Sequence, residues 1–305
     1  MNINGEKPKK ERSIILKGYK DSFIRLQDNR KLSYLSYGET NENTVIFLHG
    51  FGSSASSIHP DTKILDKYNV RFFAINRPGY GDSDVKIKYS MEDFADSINE
   101  FLIAKGIEKA SILGWSAGGL YSQVFTSKYS EKVTSLNLIS SAIPLNSNET
   151  TKILPANWKS IVNMNKYIPF MTKLYFKSLS KKITNNLDST IQKSIQQMVE
   201  GDKKVAVDPI MKTVIIKGAM ESYRNKGIGV YYDALALCQK FDDKRNPFLN
   251  VNVNIWQGGN DTIWTSETSN YLREKYSNST YSFIDNEGHL LYLSHWDEIL
   301  KKSFS

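Results

Sequence analysis

The chain has 305 residues, of which 40% are hydrophobic and 24% charged, and its formal net charge at pH 7 is +8. This is the composition of a globular protein large enough for one sizeable domain with an insertion. No run approaches the roughly eighteen apolar residues of a membrane span, and the amino terminus lacks the apolar segment of a signal peptide. We therefore expect a cytoplasmic protein without a membrane span.

The excess of basic residues does not by itself indicate a nucleic-acid partner. Lysines are spread along the chain, and the tightest basic run, residues 7–12, falls in a polar amino-terminal tail, residues 1–20. No aromatic residues are interleaved with that run, so we expect no nucleic acid to bind. The single cysteine, Cys238, lies in an apolar run and is predicted to be a buried structural thiol.

Alternating strands and helices dominate the first half of the chain. Residues 22–26 and 32–37 alternate apolar and polar side chains around a turn signal, which predicts a β-hairpin. Four short apolar runs with helical stretches between them follow, at residues 45–48, 70–75, 110–113 and 133–139. This alternation predicts an α/β fold with a mostly parallel sheet covered by helices on both faces.

A helical segment interrupts this pattern after the sixth predicted strand. Residues 144–229 have helical periodicity broken by prolines and glycines, which predicts an inserted cap between core segments 21–143 and 230–305. We expect most of its large apolar residues to form the cap's own core and a few to face a substrate cleft. They are Trp158, Met164, Tyr167, Phe170, Met171, Tyr175 and Phe176. Predicted strands return at 251–256 and 279–284, and a terminal helix is predicted at 290–301.

Ser116 is the predicted nucleophile. It is the centre of a Gly-x-Ser-x-Gly match, and it stands between the apolar run 110–113 and a helical stretch at 120–125. That strand-turn-helix setting is the one this motif requires, and the tight turn needs small neighbours. The N–H of Ala117 would open the helix and face a developing oxyanion, with the helix dipole behind it.

Four further segments, together with this turn, resemble the α/β-hydrolase superfamily over nearly the whole chain. Residues 49–54 resemble its oxyanion loop, and residues 77–83 its structural turn after the next parallel strand. Residues 258–261 and 286–289 stand where the family places its triad acid and base. The resemblance implies a triad of Ser116, Asp261 and His289, and an oxyanion hole formed by the N–H groups of Phe51 and Ala117.

Physical reasoning from the residues favours the same base and acid. Serine needs an adjacent base, and the pKa of histidine suits that task. Of four histidines, only His289 directly follows a strand and a glycine; His49, His59 and His295 fall in the oxyanion loop, a polar loop and the terminal helix. Asp285 is a competing acid, but its position at the end of the same strand as His289 favours Asp261.

The predicted activity is hydrolysis of an ester or related acyl bond in a small apolar molecule, with no metal or cofactor. Trp115 and Trp264 are predicted to contact the substrate, and we expect a monomer or homodimer. Thioesterase, carbon-carbon bond hydrolase and cofactor-free perhydrolase chemistry stay open, as does a ligand receptor with a retained triad.

A dinucleotide-binding protein is the rival from another class. Residues 50–55 fit Gly-x-Gly-x-x-Ala after a strand, as a dinucleotide fingerprint does. The next strand is followed by Asn76 and Arg77 rather than by an acidic residue, so the pattern would be compatible only with binding of NADP. This alternative leaves Ser116, Asp261 and His289 without a role.

Overall fold

One eight-stranded sheet organises the computed structural model, which describes residues 16–241 and 251–305. The strands are β1 (Lys20–Arg25), β2 (Lys31–Tyr37), β3 (Asn43–Leu48), β4 (Val70–Ile75), β5 (Ala110–Trp115), β6 (Val133–Ile139), β7 (Asn252–Gly258) and β8 (Thr280–Ile284). They lie in the order β1-β2-β4-β3-β5-β6-β7-β8. β2 is antiparallel to β1 and β4, and all other neighbours are parallel. The predicted hairpin and mostly parallel sheet are confirmed.

Helices fill the connections between the parallel strands. Before β6 they are α1 (Lys63–Lys67), α2 (Met91–Ala104) and α3 (Ala117–Lys128), with a 3-10 turn at Ser130–Lys132. Between β6 and β7 lie α4 (Ala156–Tyr167), α5 (Pro169–Asn185), α6 (Leu187–Gln197), α7 (Glu200–Val207), α8 (Pro209–Ser222) and α9 (Ile228–Leu237). α10 (Ser266–Lys275) follows β7, while α11 (Leu291–Ser294) and α12 (Trp296–Ser303) follow β8. None of the helices in the described ranges is long and apolar enough to cross a bilayer.

The two faces of the sheet pack into separate cores. Along β3, Ile46 and Leu48 belong to the core that includes α2 and α3, whereas Val45 and Phe47 belong to the core that includes α1 and α12. Successive side chains of a strand point to opposite faces, so a strand covered on both faces becomes a continuous apolar run. This explains why the central strands are recognisable in the sequence as short uninterrupted apolar segments.

Parallel pairing brings the loops that carry the predicted site residues to one edge of the sheet. The last residues of neighbouring strands are aligned in register, as Leu48 with Gly114, Ile139 with Trp115 and Trp256, and Gly258 with Ile284. The carboxyl ends of such strands form the usual ligand-binding edge of an α/β sheet. The segments after β3, β5, β7 and β8 therefore meet there.

The six helices between β6 and β7 do not bury their apolar residues as predicted. Trp158 and Phe176 are buried, but four of the seven large apolar residues singled out above are exposed to solvent. These four are Tyr167, Phe170, Met171 and Tyr175. The expectation that most of the seven form the cap's core is wrong, because α4 and α5 bury one face each and leave their junction uncovered.

Three other expectations concern the termini and the cysteine. Of the predicted tail, residues 1–15 and with them the basic run 7–12 lie outside the described residues, whereas Leu16 is buried in the core. The predicted terminal helix is divided into α11 and α12 at His295, whose ring bonds Glu298 and Glu287. Cys238 is half-buried, and burial raises the pKa of its thiol.

Candidate active site

Ser116 occupies a strained turn between β5 and α3. Its φ of 56° and ψ of −125° lie in a region that residues with a Cβ rarely adopt. Its N–H donates to Ile139 O at 3.0 Å, and its carbonyl accepts from Gly119 N and Ala142 N at 2.9 Å each. A Cβ on Gly118 would overlap the carbonyl that ends β3. The glycine is therefore required for α3 to start this close to the sheet.

Asp261 and His289 meet across the loops that follow β7 and β8. Asp261 Oδ2 accepts a hydrogen bond from His289 Nδ1 at 2.9 Å, and both side chains are buried. The other carboxylate oxygen accepts from the N–H groups of Ile263 and Trp264 at 2.8 and 3.0 Å, which fixes its orientation. The competing acid, Asp285, is exposed and makes no hydrogen bond to His289 in the part of the chain that the structure describes.

A second carboxylate, on α7, also faces His289. Asp202 accepts hydrogen bonds from the N–H groups of His289 and Leu290, at 3.0 and 2.7 Å. Burial lowers the pKa of the His289 ring, but Asp261 and then Asp202 more than offset this, so the pKa lies above its usual value. Burial raises the pKa of Asp202 itself. Nothing in the sequence motifs pointed to Asp202.

Two tryptophans contact the proposed triad. Trp264 is fully buried and donates from Nε1 to Ser116 Oγ at 3.3 Å, while its ring stacks on Trp158 at a centroid distance of 5.3 Å. Trp115 instead donates from Nε1 to the carbonyl of His289 at 2.9 Å. Among the described residues, Ser116 Oγ makes no hydrogen bond to His289, a bond that often tightens only when substrate is present.

The loop after β3 lies directly against the turn that contains Ser116. An added Cβ on Gly50 would stand 3.2 Å from Cβ of Ser116. Within the described chain, neither the N–H of Phe51 nor that of Ala117 donates a hydrogen bond to another residue. Both predicted oxyanion donors therefore remain available at the edge of the sheet where Ser116 lies.

Arg77 forms hydrogen bonds to the main chain of the loop after β3. Its guanidinium is fully buried and donates to the carbonyl oxygens of His49 and Gly50. It also pairs with Asp233 of α9 at 3.0 Å. Burial lowers the pKa of Arg77, but the neighbouring Asp233 more than offsets this, so the guanidinium keeps its proton. The turn at residues 77–83 thus has a structural contact, and α9 supplies a partner that the sequence did not predict.

Three buried tyrosines complete the environment of Asp233. All three donate to its carboxylate, at 2.6, 3.1 and 2.6 Å. They are Tyr80, Tyr89 and Tyr121. Burial, with Asp233 second, raises the pKa of each hydroxyl well above its usual value, so each keeps its proton and can donate. A buried charge pair needs such additional hydrogen bonds to be tolerated.

The same loop excludes the dinucleotide alternative. A dinucleotide fingerprint needs a helix that begins within the glycine-rich run, because the pyrophosphate binds at that helix amino terminus. Residues 50–55 form turns, and the next helix, α1, begins only at Lys63. His49 also bonds to main-chain groups of this loop and of the following turn: Nε2 accepts from the N–H of Arg77, and Nδ1 donates to the carbonyl of Gly50. Burial and the charge of Arg77 lower the pKa of His49 well below its usual value.

Comparison with known proteins agrees with this architecture. Residues 43–295 match the family model described as alpha/beta hydrolase fold. A Mycoplasma pneumoniae protein with the provisional name esterase/lipase 2 is 26% identical over 248 residues, 80% of this chain and 81% of that protein. The pimeloyl-[acyl-carrier protein] methyl ester esterase of Pectobacterium carotovorum is 23% identical over 256 residues, 83% of this chain and 89% of that enzyme.

Solved structures show the same fold. An esterase from Exiguobacterium antarcticum superposes with a TM-score of 0.67 at 17% identity, covering 94% of this chain and all of that one. A bromoperoxidase from Bacillus anthracis gives 0.71 at 18% identity, covering 93% and 99%. The chain therefore belongs to the α/β-hydrolase family and is an esterase- or lipase-like hydrolase.

Proposed function

We propose that this hydrolase cleaves the ester or related acyl bond of a small apolar molecule through an acyl-enzyme on Ser116. The observation that best supports this proposal is the buried hydrogen bond of 2.9 Å between Asp261 and His289, at the same sheet edge as the strained Ser116. A serine, a base and an acid that orients the base form the arrangement that activates a hydroxyl near neutral pH.

The proposed reaction has two halves. Ser116 Oγ attacks the acyl carbonyl carbon while its proton passes to Nε2 of His289, and Asp261 stabilises the resulting imidazolium. The N–H groups of Phe51 and Ala117 bind the oxyanion, each with an effect of about 3 kcal/mol on the barrier. The intermediate expels the alcohol, which takes the proton from His289. Water, deprotonated by His289, then attacks the acyl-enzyme. The acyl bond to Ser116 Oγ breaks, this oxygen takes the proton back from His289, and the acid is released.

Aromatic rings around the nucleophile support an apolar substrate. Phe51 contacts Trp158 and Phe176 at centroid distances of 5.2 and 5.6 Å, and Trp158 stacks on Trp264. Such aromatic side chains favour an alkyl or aryl group over a charged one as a neighbour. Because Trp158 and Phe176 come from α4 and α5, we propose that residues 144–229 act as a lid over the site. Trp264 is the proposed substrate contact, and Trp115 supports the loop of His289.

A panel of p-nitrophenyl esters of increasing acyl length tests this proposal. We expect turnover above the buffer rate on at least the short esters, and complete loss of that turnover after covalent labelling by a fluorophosphonate probe. A folded protein that is neither labelled nor able to turn over any ester in the panel would contradict the proposed function.

The second carboxylate leads to a prediction about pH. His289 accepts a proton only in its neutral form, so activity rises as pH increases through the pKa of His289. Asp202 raises this pKa, and its replacement by Asn removes that charge and leaves an amide facing an N–H donor. We expect the acid limb of kcat/KM to move to lower pH in Asp202→Asn, with a loss of about 10- to 100-fold at its plateau from the displaced loop.

Asp208 provides the matched control for this variant. It also accepts two main-chain N–H bonds, at 2.9 Å each, but it does so at the exposed start of α8. Asp208→Asn is expected to leave both the plateau and the acid limb unchanged. An acid limb that stays in place in Asp202→Asn would show that Asp202 has no electrostatic effect on His289.

A further inference from the structure

Nearly all of the net positive charge of the chain comes from one segment. Residues 150–187 contain seven lysines and no arginine, aspartate or glutamate, leaving 33 basic and 32 acidic residues in the rest of the chain. All seven lysines are exposed, and none forms a salt bridge with a described residue. They are Lys152, Lys159, Lys166, Lys173, Lys177, Lys181 and Lys182. The charge that appears scattered along the sequence is therefore concentrated on and beside α4 and α5.

Exposed apolar side chains occupy the junction of the same two helices. Tyr167, Ile168 and Phe170 are 69%, 53% and 68% exposed. With Met171, Leu174 and Tyr175 they form a set that we call the apolar corner. A protein surface seldom leaves so many large apolar residues together in water unless they meet an apolar partner.

The outward face of α5 combines both features. Its buried residues, Thr172, Phe176 and Ser180, repeat every four positions and define the face toward the protein. The opposite face carries Phe170 and Leu174 in its first half and lysines at 177 and 181 in its second half. This is the arrangement of helices that lie in a bilayer interface, with aromatic and aliphatic residues inserted and lysines beside the headgroups.

We propose that the apolar corner and the lysines around it bind the surface of a lipid bilayer rich in anionic phospholipid. The lysines attract the negatively charged headgroups, and the six apolar side chains insert between the acyl chains. Since α4 and α5 also supply Trp158 and Phe176, which contact Phe51, binding would hold the proposed lid against the membrane. The interaction itself does not depend on the proposed catalysis.

Charge and apolar exposure favour a bilayer over the two other kinds of partner. A second copy of this chain would bring seven lysines against seven lysines if the same surface met itself, and like charges repel. An acidic soluble protein would match the lysines, but six large exposed apolar residues need an apolar phase or a deep groove to bury them. An anionic bilayer satisfies both requirements without a preformed groove.

Vesicle sedimentation with the full-length protein tests the proposal. We expect binding to vesicles of mixed phosphatidylglycerol and phosphatidylcholine, and about tenfold or more weaker binding to phosphatidylcholine alone. The double variant Ile168→Ser/Phe170→Ser is expected to lose about tenfold or more in affinity for the anionic vesicles. Lys173→Glu/Lys177→Glu is expected to lose the preference for anionic lipid.

Controls come from the opposite edge of the sheet. Ile103, 63% exposed near the end of α2, and the exposed Lys109 before β5 lie away from the apolar corner. Ile103→Ser and Lys109→Glu are expected to bind vesicles like the unchanged protein. Circular dichroism melting verifies that each variant is folded, and activity on a short soluble ester, expected to be unchanged in the corner variants, is measured separately. A failure of the membrane-binding proposal can thus be distinguished from a failure of the proposed catalytic function.

Three results would overturn the proposal. In the first, the folded protein sediments with neither kind of vesicle. In the second, the double serine variant binds anionic vesicles as well as the unchanged protein does. In the third, light scattering shows that the unchanged protein is a dimer and the double serine variant a monomer, which would make the apolar corner a subunit interface.

Discussion

Replacing Ser116 by alanine is expected to lower kcat/KM for ester hydrolysis by about 10⁴- to 10⁶-fold. The variant loses the nucleophilic oxygen but keeps a Cβ, so the strained turn and the start of α3 are preserved. The N–H donors of Phe51 and Ala117 also remain, and they can support a small residual rate above that of water. Steady-state kinetics on the best ester of the panel, together with fluorophosphonate labelling, measure the effect.

Ser122 offers a matched serine in α3, the helix that follows Ser116. It is buried, and its hydroxyl donates to the carbonyl of Gly118 rather than to any group of the proposed triad. Ser122→Ala is therefore expected to retain labelling and activity within about twofold, as a substitution away from the reacting atoms should. If Ser116→Ala kept labelling, or lost no more activity than Ser122→Ala, Ser116 would not be the nucleophile.

The sheet could be predicted from the sequence because its signals are local. Each parallel strand is covered on both faces, so residues 45–48 and 110–113 appear as short apolar runs between helical stretches. Once the strands are parallel, their carboxyl ends must lie at one edge, which is why the sequence alone predicts that residues after β5, β7 and β8 lie together. The hydrogen bond between Asp261 and His289 is the geometry expected from that grouping.

The contacts of α7 and α9 could not be predicted in this way. Asp202 lies 87 residues from His289, and Asp233 lies 156 residues from Arg77. Neither belongs to a motif, and each becomes meaningful only when a helix docks against a loop at the sheet edge. The exposure of Tyr167 and Phe170 could not be predicted for a related reason. Tyrosine and phenylalanine are residue types common in protein cores, and only packing shows that Tyr167 and Phe170 lie on a helix face that is left uncovered.

Replacing Asp261 by asparagine is expected to lower kcat by about 10⁴-fold while the protein stays folded. Asparagine keeps an oxygen that can accept from the N–H groups of Ile263 and Trp264. Its amide, however, would present an N–H to Nδ1 of His289 and favour the tautomer that carries its proton on Nε2. That nitrogen could then no longer accept the proton of Ser116, and the imidazolium would lose its neighbouring charge.

Asp285→Asn is the control, because Asp285 is the other acid close to His289 in the sequence and its side chain is exposed. We expect it to keep kcat within about twofold. Melting temperatures show whether the two variants are folded, and pH profiles of kcat report the pKa of His289 in each of them. Asp261 raises the pKa of His289, so any activity that survives in Asp261→Asn should have its acid limb at lower pH. A large loss in Asp285→Asn with little change in Asp261→Asn would reverse the assignment of the acid, since the two substitutions are chemically identical and differ only in which carboxylate reaches the imidazole.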